Sequence, residues 1–316
     1  MATPGALVIF RKQLGDVLML QPALEHLSRR VGSVAIHARG DFADLLSLMP
    51  GEIRLADASI FPKAAEAYCL EARPAALLYA ARALGARRHL LLSRDIAPWW
   101  QRLIFDEYTV LPGSQLYRAE LYQRLFGFAD QPFQPPRLNP PPADWRPAGL
   151  PAAYRVLHPS AAWQRKTWAA EKWADTLCQL DDSLPWLITS GPTEWEIALA
   201  GDIAQRCRPG QVINLAGQTS LMDAMALIAG ARGLVSNDSG LMHVAAAFGV
   251  QQVAIFGSSS PLHTPPLNER ATVLWLKTQA DYQPPLDCAP CFERECPLGH
   301  TRCLNDISAS QVLSYL

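Results

Sequence analysis

The sequence predicts an α/β protein with two Rossmann-like domains, each built on a parallel sheet. Its 316 residues exceed one ordinary α/β domain and suit two domains of about 150 residues. Short apolar strands alternate with helical segments in both halves, as parallel sheets require. Between the halves, residues 131–151 hold eight prolines in 21 positions, which neither a helix nor a central strand accepts. We therefore predict an N-terminal domain over 1–135, a linker over 136–152 and a C-terminal domain over 153–316.

The elements follow in order from hydrophobic periodicity. Residues 6–11 form an apolar run that predicts a strand, residues 17–31 carry leucines at helical spacing, and residues 33–37 predict a second strand. In the second half, apolar runs predict strands at 154–158, 186–189, 212–215, 233–236 and 252–256. Ser308 and Gln311 have capping-box spacing and predict a closing helix over 308–316. Two such sheets facing each other would leave a cleft, and open α/β sheets bind ligands beyond the carboxyl ends of their strands.

Composition excludes several classes of protein. The chain is 49% hydrophobic and 18% charged, as folded globular proteins are. Its net charge of −1 lacks the basic footprint of a nucleic-acid-binding domain, so we expect no nucleic-acid partner. The N-terminus has no basic n-region or signal-length apolar core, and other apolar stretches are too short to span a membrane. Seven cysteines, three of them (Cys69, Cys178, Cys207) in predicted helices, favour a reducing cytosol.

The strongest chemical signal is the segment Ser236-Asn237-Asp238-Ser239-Gly240-Leu241-Met242-His243, where a predicted buried strand ends and a helix begins. A helix N-terminus exposes unpaired N–H groups, and a small residue followed by glycine lets a phosphate approach them. His243, one turn inside the helix, adds a further donor. A plain helix cap by Asp238 or Ser239 explains the same residues equally well.

Two further segments carry candidate chemistry. Lys166 lies in the loop after the first strand of the second half, where it could neutralise a leaving diphosphate; taken alone, it reads more simply as a solvated lysine. Asp16 lies at the turn between the first strand and the first helix, where a carboxylate could take a proton from an attacking hydroxyl. A helix N-cap is an equally good interpretation of Asp16.

Together these three segments resemble the ADP-heptose:lipopolysaccharide heptosyltransferases, glycosyltransferase family 9. The resemblance runs along essentially the whole chain, and its most specific parts are residues 214–221, 235–247 and 257–261 with 264–267. The last of these is most similar to the heptosyltransferase II branch. The resemblance implies a GT-B fold and an inverting, metal-independent transfer of a heptose from ADP-heptose to heptosyl-Kdo-lipid A, with no cofactor. It also implies a cytoplasmic enzyme, at most peripheral on the inner membrane, that meets its lipopolysaccharide core acceptor at the inner face of that membrane.

The resemblance also assigns roles to residues. Asp16 matches the general base, Lys166 and Ser160 match diphosphate contacts, and Glu194 or Glu196 matches a ribose contact. The other donor-binding positions are Gly217, Thr219, Asp238, Ser239, Gly240 and His243. Arg11, Lys12 and Arg94 are candidates for acceptor binding. In this scheme the helix N-terminus and Lys166 replace a metal, and Asp16 activates the acceptor hydroxyl opposite the leaving group. Alternatives are another acceptor (Kdo-lipid A, an outer heptose or a protein) or a nucleotide-sugar-binding protein without catalysis, against which Asp16 argues.

Two weaker features remain. Cys288, Cys291, Cys296 and Cys303 form C-x2-C-x4-C-x6-C, a spacing compatible with zinc or iron, although packed free thiols explain it more simply. A second stretch combines arginines with Trp99 and Trp100, and its arginines are Arg82, Arg87, Arg88, Arg94 and Arg102. It would suit an anionic acceptor at a membrane surface, but solvated helix faces with core tryptophans are the simpler interpretation.

Overall fold

The computed structural model describes residues 4–39, 42–57, 63–83, 85–92, 99–111, 116–180 and 184–316, with the side chain of Arg102 excepted. Contacts divide the chain into two compact units, Met1–Asn139 and Pro140–Leu316. They are called unit 1 and unit 2 below. Among the described residues, no helix is both long and apolar enough to cross a membrane.

Unit 1 is a parallel sheet with helices on its faces. Its strands are β1 (Ala6–Ile9), β2 (Val34–His37), β3 (Ile53–Leu55), β4 (Glu66–Cys69), β5 (Arg87–Leu92) and β6 (Glu107–Val110). Its helices are α1 (Leu14–Met19), α2 (Gln21–Val31), α3 (Ala43–Leu48), α4 (Pro74–Ala81) and α5 (Arg118–Leu125), with a 3-10 helix at Trp99–Leu103. The strand order is β3-β2-β1-β4-β5-β6, the doubly wound order of dinucleotide-binding folds.

Two sequence-based expectations in unit 1 are wrong in detail. The single helix predicted over 17–31 is divided into α1 and α2 at Leu20. Pro22 lies in the first turn of α2, where its missing N–H costs nothing, but it could not continue a helix from α1. Cys69 ends strand β4 and is buried there rather than in a helix.

Unit 2 repeats the same architecture. Its strands are β7 (Arg155–His158), β8 (Trp186–Ile188), β9 (Val212–Asn214), β10 (Leu234–Asn237), β11 (Gln252–Ile255) and β12 (Ala271–Leu274). Its helices are α6 (Ala170–Gln179), α7 (Glu194–Arg206), α8 (Leu221–Ala229), α9 (Gly240–Ala247), α10 (Arg302–Asn305) and α11 (Ala309–Leu313), with 3-10 helices at Ala143–Trp145, Gln164–Lys166 and Leu276–Thr278. The strand order is β12-β11-β10-β7-β8-β9, and all neighbouring pairs are parallel. Read from β9 to β12, this order is the same as that of unit 1.

Sequence periodicity located the elements of unit 2 well. All five strands predicted there are present with ends within one or two residues, because buried parallel strands are near-continuous apolar runs. Ser308 caps α11 in the predicted capping box with Gln311. The core contains three fully buried tryptophans, Trp168, Trp173 and Trp186, packed with the inner faces of the strands.

The central residues of the proline-rich segment contact the two units of the chain in turn. The Arg137 guanidinium lies 2.6 Å from a carboxylate oxygen of Glu25, and the Asn139 N–H donates to the Leu48 carbonyl at 2.7 Å. Farther along, the 3-10 helix Ala143–Trp145 contacts α8. The contact-based division of the chain falls between Asn139 and Pro140, inside the predicted linker.

Candidate functional site

The predicted donor-binding residues follow the carboxyl ends of four strands of unit 2. They are Ser160 and Lys166 after β7, Glu194 and Glu196 after β8, Gly217 and Thr219 after β9, and Asp238, Ser239, Gly240 and His243 after β10. Because all strands of the sheet are parallel, these loops emerge at one edge of it. In open α/β sheets this edge is where ligands bind.

The turn from β10 to α9 presents a helix N-terminus at this edge. Ser239 is the N-cap residue, and its hydroxyl accepts the Met242 N–H at 3.3 Å. Of the two cap candidates, Ser239 rather than Asp238 therefore caps the helix. Gly240 opens α9, and the first N–H groups of a helix lack intrahelical partners and carry partial positive charge.

Asp238 instead forms a buried ion pair with Lys166. Both side chains are only 10% exposed, so Lys166 is not the solvated lysine that its position in a loop suggested. The Lys166 ammonium also lies 5.0 Å from the centroid of the Trp163 ring. Burial of two charges is costly unless they compensate each other, and Lys166 and Asp238 do so at the carboxyl edge of the sheet.

Asn237, the last residue of β10, fixes the loop that carries Lys166. Its side-chain oxygen accepts the Trp168 N–H at 3.1 Å, and its amide nitrogen donates to the Pro159 carbonyl. The side chain is fully buried. Sequence reasoning missed this residue, although its place inside the 236–243 segment marked the right neighbourhood.

His243 lies in the first turn of α9 and is almost completely buried. Burial lowers the pKa of its imidazole to about 4, against an opposing effect of Asp238, while Lys166 lowers it further. The ring is therefore neutral at neutral pH. It can offer one N–H to a ligand but no positive charge.

A set of buried hydroxyl groups surrounds the same edge. Among the described residues none of these hydroxyl groups has a hydrogen-bond partner, and their carriers are Ser160, Thr189, Ser190, Ser236, Ser258 and Ser259. Buried polar groups are almost always paired, so unpaired ones in a cluster indicate polar atoms supplied from outside the protein. Only Ser160 was predicted; the run of serines at 258–260 was noted as a family feature without a role.

The residues predicted to bind the adenosine differ in how freely they can contact a ligand. Gly217 has φ +71°, a left-handed backbone conformation that favours glycine over residues with a Cβ. Glu196 is the third residue of α7, and its carboxylate accepts the N–H and hydroxyl of Thr193 in a capping box. Glu194 is exposed at the first position of the same helix. Of the two ribose candidates, the geometry favours Glu194.

In unit 1, Asp16 lines a cavity of about 90 Å³ at the carboxyl ends of β1, β4 and β5. The other residues of the lining are Phe10, Lys12, Leu70, Leu91, Arg118, Tyr122 and Leu125. Asp16 is the third residue of α1, whose N-cap is Gln13, so Asp16 is not itself the cap. Its carboxylate accepts hydrogen bonds from the Gln13 N–H and the Tyr122 hydroxyl. Burial raises the pKa of Asp16, against the opposing charges of Lys12 and Arg118.

A second cavity, of about 240 Å³, adjoins the ends of β1, β2 and β4. Arg11, Arg39 and Arg73 line it together with Glu71, which is buried. The Glu71 carboxylate accepts the Arg11 N–H and lies 3.8 Å from the Arg73 guanidinium. Three exposed guanidinium groups around one buried carboxylate leave an excess of positive charge facing the cavity.

The remaining basic candidates are less informative. Arg94 lies outside the described residues. Arg87 and Arg88 begin β5 at the opposite edge of the sheet and pair with Glu107 and Asp106. The expectation of core tryptophans is wrong, since Trp99 and Trp100 are 74% and 41% exposed.

The four clustered cysteines line a small cavity of about 30 Å³, together with residues that include Arg165, Ser258 and His300. All four are free thiols. Over the described ranges, no three cysteine, histidine or acidic side chains stand as a ready-made metal site. Hydrogen bonds from backbone N–H groups, first that of Thr301, lower the pKa of Cys296.

Comparison with known proteins places this arrangement in context. The family model described as glycosyltransferase family 9 (heptosyltransferase) matches residues 105–302. The chain is 55% identical over 65 residues to lipopolysaccharide heptosyltransferase 2 of Escherichia coli K12, which is 21% of this chain and 19% of that protein. It is 32% identical over 161 residues to lipooligosaccharide heptosyltransferase 2 of Campylobacter jejuni, which is 50% of this chain and 48% of that protein. The matches thus span from about a fifth to a half of these curated relatives.

Among solved structures, the chain resembles the E. coli ADP-heptose lps heptosyltransferase II. The TM-score is 0.79 at 24% identity, and the superposition covers 98% of this chain and 96% of that one. This likeness establishes the fold, and the predicted α/β architecture with two Rossmann-like domains of the GT-B type is confirmed.

Proposed function

Because this chain belongs to glycosyltransferase family 9, the heptosyltransferases, we propose that it transfers a heptose from ADP-heptose to heptosyl-Kdo-lipid A in the lipopolysaccharide core. The observation that carries the proposal is the buried Lys166–Asp238 pair beside the N-terminus of α9, ringed by unpaired buried hydroxyl groups. Such an edge suits a ligand with both negative charge and many hydroxyls. A sugar diphosphate has both.

The donor binds with its diphosphate at the N-terminus of α9. The N–H groups that follow Ser239, the Ser160 hydroxyl and the Lys166 ammonium hold the phosphate oxygens, and neutral His243 adds one N–H. Asp238 keeps Lys166 in place before the donor arrives. The adenosine extends toward Gly217, Thr219 and Glu194. No cofactor or metal is required for this step, since fixed donors stabilise the departing charge.

The reaction is an inverting displacement. The Asp16 carboxylate takes the proton of the acceptor hydroxyl, the hydroxyl oxygen forms a bond to the anomeric carbon, and the bond from that carbon to the diphosphate breaks. ADP departs with the electron pair of that bond. The raised pKa of Asp16 makes the carboxylate a stronger base than an ordinary aspartate, and the Tyr122 hydroxyl orients it. Attack opposite the leaving group inverts the configuration.

The acceptor binds in unit 1, beside Asp16. Arg11 and Lys12 are neighbours in sequence and line the two cavities, so one molecule can place a hydroxyl near Asp16 and a negative group near Arg11. Lipopolysaccharide inner core carries both carboxylates and phosphates. We assign Arg94 to the same role from the family resemblance. The acceptor is presented at the inner face of the inner membrane, so the enzyme works in the cytoplasm, at most peripheral on that membrane.

The proposal is tested by product mass. The purified protein is incubated with ADP-heptose and either Kdo-lipid A or heptosyl-Kdo-lipid A, in the presence of EDTA. The expected product is heptosyl-Kdo-lipid A extended by one heptose. Extension of Kdo-lipid A instead would assign another acceptor, and binding of ADP-heptose without any product would leave only a sugar-nucleotide-binding protein.

A further inference from the structure

The four cysteines at 288–303 lie outside the transfer chemistry, yet they surround one cavity. Cys288, Cys291, Cys296 and Cys303 all contribute to its lining. At about 30 Å³ the cavity has room for a single small species. Four thiols around a space of this size form a soft donor set, which selects zinc or iron over magnesium or calcium.

The backbone around the thiols is shaped for sulfur ligands. Phe292, directly after Cys291, has φ +57°, and Thr301, two residues before Cys303, has φ +49°. Left-handed conformations are costly for such residues and persist only where the surroundings require them. The chain turns back on itself directly after Cys296, where the Gly299 N–H donates to the Cys296 carbonyl at 3.1 Å.

Two polar groups at the cavity wall also fit a bound metal. The Ser258 hydroxyl lines the cavity, is buried, and has no partner among the described residues. Arg165 lines it as well. Four thiolates around a divalent ion carry a net charge of −2, and the Arg165 guanidinium, which also pairs with Glu295, offsets part of it.

The cysteine segment is attached to the donor loop. Arg165 pairs with Glu295 at 2.9 Å, and the Arg294 guanidinium lies 5.8 Å from the ring centroid of Trp163, the ring that also contacts Lys166. The Phe292 N–H donates to the Ser258 carbonyl at 2.9 Å. The segment therefore touches the loops that follow both β7 and β11.

We propose that Cys288, Cys291, Cys296 and Cys303 bind one zinc or iron ion, and that this ion holds the segment that supports the diphosphate-binding loop. The four thiols do not stand as a ready-made metal site, so binding must bring their sulfur atoms together around the ion. Only the link to the donor loop depends on the proposed function; the metal content does not.

Elemental analysis of the full chain, purified without a histidine tag, tests the site. The expected content is about one zinc or iron per chain, and the ratio of the two elements after growth with both identifies the ion. Cys291→Ser should reduce the metal content below about a tenth of an equivalent per chain. Cys178→Ser, outside the cluster, should leave the metal content unchanged. His300→Ala should also keep it, because its Nδ1 already accepts the Arg302 N–H. Loss of metal in His300→Ala would overturn the four-thiol assignment.

A second measurement needs no variant. The metal-free wild-type chain is titrated with Co²⁺ under reducing conditions and should develop thiolate-to-cobalt absorption that saturates at about one equivalent. A wild-type chain that takes up neither zinc, iron nor cobalt would overturn the site. Metal-loaded protein should bind ADP at least about fivefold more tightly than metal-free protein. Equal ADP affinities with a full metal site would overturn the link to the donor loop alone.

Discussion

The two units share one strand order but differ in what their carboxyl edges hold. The edge of unit 2 carries a buried ion pair, a capped helix N-terminus and unpaired buried hydroxyls. The edge of unit 1 carries exposed arginines and two carboxylates, Asp16 and Glu71, of which Glu71 is fully buried. A buried polar set can satisfy only a ligand of matching shape. Exposed arginines tolerate a variety of anions. The proposed function accordingly assigns a fixed ligand to unit 2 and a variable one to unit 1.

The family comparison follows the same division. The family model spans residues 105–302, which include the whole candidate donor site and little of unit 1. This is expected if family members keep one class of donor and differ in their acceptors. The predictions below test whether unit 2 specifies donor affinity and unit 1 specifies the chemical step and the acceptor.

The largest expected effect is that of Asp16→Asn in unit 1. Loss of a general base lowers kcat by about 10² to 10⁴. Donor affinity should stay within about twofold, because the contacts to ADP-heptose lie in unit 2. In the wild type, activity should fall on acidification at a higher pH than for an ordinary aspartate, since burial raises the pKa of Asp16 and the base must be ionised.

Asp44→Asn is a matched control for this variant. Asp16 and Asp44 each lie in the first turn of a six-residue helix that follows a central strand of unit 1. Both substitutions remove one first-turn carboxylate and keep the shape of the side chain, so neither should unfold unit 1. An Asp16→Asn enzyme as active as Asp44→Asn would contradict the base assignment.

The next effect concerns pH and the stability of unit 2. An unfolded histidine takes up a proton below about pH 6.5, whereas buried His243 stays neutral until about pH 4. Between these values the unfolded state binds more protons, so the free energy of unfolding decreases as the pH falls, by about 3 kcal/mol in all. Urea titrations from pH 7 to 4 should show this loss.

The dependence of unfolding free energy on pH should be weaker in His243→Gln, with a remainder from His158, whose pKa burial also lowers. It should be unchanged in His263→Gln, a partly exposed histidine of the same unit. Equal slopes in the wild type and in His243→Gln would assign the acid sensitivity to other groups.

The sequence located the scaffold and the neighbourhood of the site better than the contacts within it. Apolar periodicity located β1 and β2 of unit 1 and five of the six strands of unit 2, and helix-start residues marked the turn at 236–243. Whether Asp238 or Ser239 caps α9 depends on the Lys166 ammonium, which arrives from a loop some 70 residues earlier in the chain. Periodicity and local propensity carry no information about such a pairing.

The residues missed by sequence reasoning share a physical reason. Ser190, Ser258 and Ser259 are ordinary loop serines in the sequence, and only burial without a partner distinguishes them. Arg39 and Arg73 follow different strands, and the order β2-β1-β4 brings them to one cavity. For Glu196 the sequence itself carries the information, because T-E-W-E at 193–196 has capping-box spacing and a capping carboxylate is less free to contact a ribose.

Lys166→Ala should weaken the binding of ADP by about ten- to a hundredfold, the scale of a charged hydrogen bond. It should weaken the binding of adenosine by less than about twofold. Calorimetry with both ligands separates the phosphate contact from a general disturbance of unit 2. The variant leaves Asp238 buried without its partner, which costs about 3–5 kcal/mol of stability.

Lys166→Met with Asp238→Asn removes both charges and restores the balance. This double variant should be as stable as the wild type, and it should still bind ADP more weakly without a matching loss of adenosine affinity. Equal weakening of ADP and adenosine in this double variant would contradict a diphosphate role for Lys166.

The smallest effects are expected for Arg39→Ala and Arg73→Ala, at the second cavity of unit 1. Exposed charges are well solvated, so each substitution should raise the KM for the acceptor only about three- to tenfold and leave kcat and ADP affinity unchanged. Salt screens such interactions, and the difference from the wild type should shrink as ionic strength rises. Arg124→Ala, which removes an exposed arginine whose carboxylate partner Glu120 lies on the same helix, should leave the acceptor KM unchanged. If the cavity variants have the same acceptor KM as Arg124→Ala, unit 1 recognises anions at another place. If they lose ADP affinity, the assignment of donor binding to unit 2 alone is wrong.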